Sequence, residues 1–193
     1  YADQISTDYS DILIEKNGKE YTYKTSFKVL VSNNFGVAQK RQRLIFIAIR
    51  SDVSIEKDLI PEHIFTDIEA YCQTQGHHVL NDALGFIKPL DAPRIKNMTD
   101  IDDDTTGKKV DVNQYSGSEN SYLKLINNGT KVPLVYNHKA RYTNDINYEI
   151  YKLLDEGDDG TNKKIKDIMP YKHRNHVFKD KYFKLVGDKP SRT

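Results

Sequence analysis

The 193-residue sequence predicts an α/β fold, and three observations carry that prediction. Two apolar runs, Val29 to Val31 and Leu44 to Ile49, show no polar alternation. Such runs suit strands of a sheet covered on both faces. Asn17-Gly18 stands between "DILIEK" and "EYTYKTSFKVLVS", a dipeptide that favours the type I′ turn of a hairpin. After Pro61 the apolar period changes: Ile64, Phe65, Ile68, Tyr71 and Cys72 fall at i, i+1, i+4, i+7 and i+8, one face of a helix.

Taken in order, residues 1–55 read as hairpin and sheet edge belonging to an α/β core. The second apolar run is entered through "FGVAQKRQR", so arginines stand at the mouth of a strand. Pro61 lies near the first turn of the following helix, where its missing N–H costs nothing. Cys72 lies on the apolar side of that helix and reads as a small buried hydrophobe rather than a nucleophile. Residues 79–84 predict a short helix, and Pro89 and Pro93 bracket a loop. Residues 97–121, "NMTDIDDDTTGKKVDVNQYSGSENS", are polar with little periodicity and predict a mobile acidic loop. Its aspartates, Asp100, Asp102, Asp103 and Asp104, lack the spacing of a calcium loop. From Thr143 a second helix is expected, capped by Thr143, Asn144 or Asp145. Its apolar stripe is Ile146, Ile150, Leu153 and Leu154, with Gly157 as C-cap. There are no internal repeats.

The formal net charge of +1 hides an asymmetry. Residues 160–193 hold ten Lys/Arg against three Asp/Glu, which leaves −6 on the remainder. A basic end on an acidic body points to a polyanion such as DNA. Tyr171, Phe178, Tyr182 and Phe183 interleave with those basic residues, a mixture that suits a phosphate-facing surface as well as a strand with a wet face. The longest apolar run falls far short of the roughly 20 residues that span a bilayer, and no secretion leader is seen, so no membrane partner is expected. The single cysteine excludes an internal disulfide and a Cys-based metal cluster, and suits a reducing cytoplasm. His173 and His176 are three apart without a third ligand nearby and read as surface or phosphate-facing residues; no metal site is expected. The abrupt end at "KPSRT" reads as a segment cut from something longer.

The arginine stretch also carries a resemblance. "NFGVAQKRQRLIFIAIRSD" closely resembles the block of DNA cytosine-5 methyltransferases written Gly-Val-Pro-Gln-x-Arg-x-Arg, which runs into a strand. Gly36, Val37, Gln39, Arg41 and Arg43 match it, and Ala38 stands where the family commonly has proline. "LNDALGFIKPL" (80–90) is similar to the segment that opens the target-recognition region in one branch of that family. "YNHKARYTNDINYEIYKLLDEG" (136–157) is similar to that branch's Asn-His-x-Ala-Arg and following helix. "FKDKYFKLVGDKPSRT" (178–193) is similar to its Phe-x-x-Lys-Tyr-x-x-Leu and Lys-Pro-Ser-x-Thr. The four occur in family order and cover roughly residues 28–193.

The resemblance implies the edge portion of a Rossmann-like methyltransferase sheet over residues 1–58, followed by a mixed α+β target-recognition domain over 59–193. It implies methyl transfer from S-adenosylmethionine to C5 of a flipped cytosine, after a cysteine thiolate adds to C6. Arg43 would meet the negative charge that develops around O2 and N3 of the ring. Arg41 and Gln39 would brace the pocket and the flipped nucleotide's phosphate. Double-stranded DNA is the expected partner, with Lys172, His173, Arg174, Asn175 and His176 as candidates for base reading. Ser191 and Thr193 would position the DNA backbone. Arg141 would reach phosphate or tie the helix start to its loop, and His138 would be a structural hydrogen-bonding residue.

The family's Pro-Cys-Gln, Phe-x-Gly-x-Gly and Glu-Asn-Val stretches are not found: Cys72 follows Tyr71, and no two glycines are spaced Gly-x-Gly. The chain is therefore expected to need the remainder of the catalytic domain as a partner. Alone it should neither bind S-adenosylmethionine nor methylate. The other expectation is a free-standing DNA-binding module, or a specificity subunit that completes a split enzyme.

Overall fold

The computed structural model describes residues 1–96, 101–115, 119–170 and 181–192, which form two compact units, Tyr1–His77 and His78–Arg192. The first unit is built on the antiparallel pair β3 (Tyr23–Val31) and β5 (Gln42–Arg50), in register from Tyr23↔Arg50 to Val31↔Gln42. Side chains alternate across a strand. Arg43, Ile45, Ile47 and Ile49 therefore share one face with Leu30, Lys28, Ser26 and Lys24. Leu44 and Phe46 share the other with Val29 and Phe27, whose ring centroid lies 5.3 Å from that of Phe46.

Each face receives one helix. α1 (Ala2–Ser10) docks on the Phe27 face through hydroxyls, with Ser6 and Ser10 Oγ 3.0 and 2.6 Å from Thr25 Oγ1. It has no buried residue and no apolar stripe, so nothing in "ADQISTDYS" announced a helix. α3 (Pro61–Gln73) packs against the other face, with Lys28 Nζ 2.6 Å from Glu69 Oε1. Pro61 is its first residue, and Pro61 and Phe65 are buried. Because α3 packs on β3 and β5, it belongs to the first unit, whereas the sequence grouped it with the second part.

The helices do not cover the whole pair, so the expectation of two covered faces holds only in part. Val29 and Leu44, opposite each other, are 54% and 40% exposed, and Ile45 on the other face is 38% exposed. The bare end is the end that carries Arg43. The expected hairpin is present: β1 (Ile14–Lys16) pairs with β2 (Lys19–Tyr21) through Asn17 and Gly18, both with positive φ, 55° and 70°. That is the type I′ geometry. A two-residue extended segment, β4 (Gln39–Lys40), precedes β5, and a short helix, α2 (Ser51–Glu56), follows it.

In the second unit, residues 107–114 correct the expectation of a structureless loop. β6 (Gly107–Asp111) pairs antiparallel with β7 (Val135–Lys139), and Val112–Gln114 make a 3-10 turn. The strand was hidden because "GKKVD" has no apolar period; its charges are used locally instead. Lys108 Nζ lies 2.8 Å from both Asp104 Oδ1 and Asp111 Oδ2. Asp103 accepts from the Thr105 and Thr106 N–H groups at 2.7 Å each, and Asp102 accepts from Lys139 Nζ at 2.7 Å. These aspartates are tied internally; Asp100 lies outside the described residues.

The short helix α4 (Leu80–Leu84) forms as expected, and α5 (Ser121–Ile126) is capped by Asn120, which accepts from Leu123 N–H at 2.9 Å. α6 (Asp145–Leu153) is capped by Asn144, which accepts from Asn147 N–H at 2.8 Å. Ile150 and Leu154 are buried with Ile165 and Tyr182, half-buried Met169 packs against them, and Ile146 and Leu153 stay exposed. Gly157 is not the C-cap. Leu154 leaves the helix in an extended conformation, and Gly157 turns the chain three residues later, at φ +87°, donating to Lys184 O at 2.8 Å.

Candidate active-site arginines and nucleic-acid interface

The arginine block grows out of the end of the β3–β5 ladder. Val31↔Gln42 is the last pair; Ser32 then enters a 3-10 turn, Ser32–Phe35, closed by Gly36 at φ +73°. A Cβ on Gly36 would meet only ordinary contacts, so the left-handed backbone is what favours glycine there. Ala38 is buried and Gln39 half-buried. Arg41 and Arg43 are both exposed, two residues apart on extended chain. Arg43 Nη1 donates to Gln42 O at 2.8 Å. Among the described residues neither guanidinium forms an ion pair.

The third arginine of the same stretch is treated differently. Arg50, at the opposite end of β5, donates to both carboxylate oxygens of Asp52 at 2.6 and 2.9 Å, and its Cζ lies 5.0 Å from the centroid of the Tyr21 ring. The Arg50 hydrogen bond pulls the Asp52 carboxyl below the ordinary carboxylate range. A bidentate pair of this kind commits the guanidinium. The stretch thus pairs one arginine with a carboxylate at the far end of β5, while at the near end Arg41 and Arg43 form no ion pair among the described residues. Planar guanidiniums on a strand end offer directed donors to a phosphate or to a developing oxyanion.

Cys72 is half-buried on α3, and its thiol is pushed up, by burial first and then by the Glu69 charge. A raised thiol pKa keeps the group protonated and poorly nucleophilic.

In the second unit, three motif segments far apart in sequence come together. Leu80 N–H donates to Lys189 O at 3.0 Å, and Asn81 N–H to Gly187 O at 2.9 Å, which joins "LNDALG" to "LVGDKP". His138 Nε2 lies 2.8 Å from Lys88 O, which joins the "NHKAR" segment to "FIKPL". Within that segment, Asn137 adopts positive φ, 55°, which asparagine tolerates better than most residues. Lys139 reaches Asp102, and Ala140 N–H donates to Thr106 O at 2.9 Å. Arg141 is exposed, with no ion pair among the described residues. The start of α6 is tied by Arg94, whose Nη2 donates to Asp145 Oδ1 and whose Cζ lies 3.9 Å from the centroid of the Tyr148 ring.

Ser191 is half-buried, and its hydroxyl donates to Arg192 O at 3.0 Å. Lys172, His173, Arg174, Asn175, His176 and Thr193 lie outside the described residues. The sequence reading missed Ser32 and Arg94, neither of which sits in a motif that would have flagged it.

A family model described as C-5 cytosine-specific DNA methylase matches residues 10–187, across both the arginine block and the converging motif segments. The chain belongs to this family. Comparison with curated proteins and with solved structures gives no match. C-5 cytosine-specific DNA methylases act on cytosine in DNA and use S-adenosylmethionine as methyl donor. Gly18 sits in a hairpin turn with nothing within 4 Å, and the Gly36 turn lies against Gln75 and Gly76. No helix among the described residues is long and apolar enough to cross a membrane.

Proposed function

We propose that this chain is part of an S-adenosylmethionine-dependent DNA (cytosine-5-)-methyltransferase, to which it contributes target recognition and the arginine part of the active site. The observation that carries this reading is the contrast along β5: Arg50 is held by Asp52, while Arg41 and Arg43 are exposed and free of carboxylates among the described residues. A strand end with two exposed guanidiniums that carry no ion pair among the described residues suits a pocket for a flipped cytosine. Arg43 would donate to the ring as charge develops, and Arg41 and Gln39 would brace the flipped nucleotide's phosphate.

The catalytic cysteine and the cofactor loop would come from elsewhere in the enzyme. Cys72 has a raised thiol pKa and lies in a Tyr-Cys context, which supports a different nucleophile. The apolar Val29–Leu44 patch and the exposed Ile45 support a sheet that the rest of the catalytic domain would extend and cover.

Target reading would fall to the basic segment Lys172, His173, Arg174, Asn175 and His176, with Arg141, Ser191 and Thr193 on the DNA backbone. Fluorescence anisotropy of the chain with a labelled duplex at two salt concentrations tests this. Binding should weaken with salt, and K172A/R174A should reduce both affinity and salt slope. Equal affinity for wild type and double variant would remove that segment from the reading.

A further inference from the structure

One residue outside the Gly-Val-x-Gln-x-Arg-x-Arg match holds that block in shape. Ser32 continues the β3–β5 register opposite Arg41, and its N–H donates to Arg41 O at 2.9 Å as an ordinary ladder bond would. The reciprocal bond is not made by the Ser32 carbonyl, because Ser32 already begins the 3-10 turn. Its hydroxyl takes that place: Arg41 N–H donates to Ser32 Oγ at 2.9 Å, and Ser32 Oγ donates in turn to Gln39 O. One side chain therefore satisfies the backbone on both sides of Lys40. Arg41 has both of its backbone groups bonded to the same serine. Without that hydroxyl the Arg41 N–H would lose its partner at the point where the ladder ends and the chain bends into β4.

We infer that Ser32 is a positioning residue for the arginine block: its hydroxyl extends the ladder by one register step past the last strand pair and so fixes the backbone from which Gln39, Arg41 and Arg43 project. The inference rests on the proposed role of those three residues. The reasoning is geometric. A guanidinium stabilises developing charge only when held close to its productive geometry, and a displacement of about 1 Å can cost about a hundredfold in rate.

Two arms test it. In this chain, amide hydrogen exchange of Ser32→Ala should accelerate at Arg41 while Phe46 and Ile47, in the middle of the ladder, keep their protection. Ser32→Thr, which retains the hydroxyl, should restore protection at Arg41. In the complete methylase, Ser32→Ala should lower kcat by about ten- to a hundredfold with the KM for DNA little changed, and Ser32→Thr should recover most of the rate. Unchanged Arg41 exchange in Ser32→Ala would overturn the inference. So would a normal Ser32→Ala rate beside an impaired Arg43→Ala rate, with the functional reading left intact. Normal rates in both variants would overturn the functional reading on which the inference rests.

Discussion

His138 Nε2 lies 2.8 Å from the carbonyl oxygen of Lys88, a hydrogen bond that spans fifty residues and locks two motif segments into one unit. The half-buried ring makes this bond within the second unit. His138→Ala should leave the Lys88 carbonyl without this partner and lower the thermal stability of the second unit by about 1–3 kcal/mol. Its effect on DNA affinity at a temperature well below melting should be small. A large loss of DNA affinity with unchanged melting would contradict the structural role.

Gly107 provides a sharper stability test. Its φ is +96°, and a Cβ there would lie 2.2 Å from His138 O and 2.7 Å from Leu90 Cδ1. Gly129, at φ +69°, has nothing within 4 Å. Gly129→Ala should cost about 1–2 kcal/mol for the left-handed backbone alone. Gly107→Ala should cost clearly more, because backbone must also move. Denaturant melts of the two variants with equal losses would show that the β6–β7 pairing is not as close as described.

The acidic segment sets a pH dependence. Lys139 holds the Asp102 carboxyl below its ordinary range, and Lys108 does the same for Asp104 and Asp111; the Thr106 hydroxyl and backbone N–H lower Asp103. A carboxylate lowered in the folded state contributes stability above its unfolded pKa of about 3.9, and loses it as pH falls through the folded value. The melting temperature should therefore be flat near neutrality and fall below about pH 4. Asp102→Asn should flatten part of that fall. An acid limb identical in wild type and variant would remove the Asp102–Lys139 contribution.

Much of this was legible in the sequence where local chemistry is strong. Asn17-Gly18 predicts its turn because few other pairs accept two positive φ values, and Pro61 marks a helix start because it can occupy little else. The match of Gln39, Arg41 and Arg43 to a motif needs no structure. What could not be read is where polar groups satisfy one another. α1 docks by hydroxyls and β6 by lysine–aspartate ties, so neither has an apolar period. Gly157 carries the composition of a C-cap, yet α6 ends at Leu153 because Leu154 is drawn into the core beside Ile165. Ser32 and Arg94 act through geometry that spacing does not encode.

Cys72 should not be the nucleophile. Cys72→Ala in the complete methylase should keep the wild-type methylation rate, and the thiol should alkylate slowly with iodoacetamide at neutral pH. Recovery of a covalent DNA adduct at Cys72 with a 5-fluorocytosine substrate would refute this. By the same reading, calorimetry should detect no stoichiometric S-adenosylmethionine binding to this chain alone.

The most direct measurement is single-turnover methylation by the complete enzyme carrying Arg43→Ala, with duplex affinity measured in parallel. The account predicts a fall in the chemical step of about a hundredfold or more with affinity nearly unchanged, since a donor aimed at developing charge acts on the transition state. A methylation rate equal to wild type, at equal DNA occupancy, would contradict it.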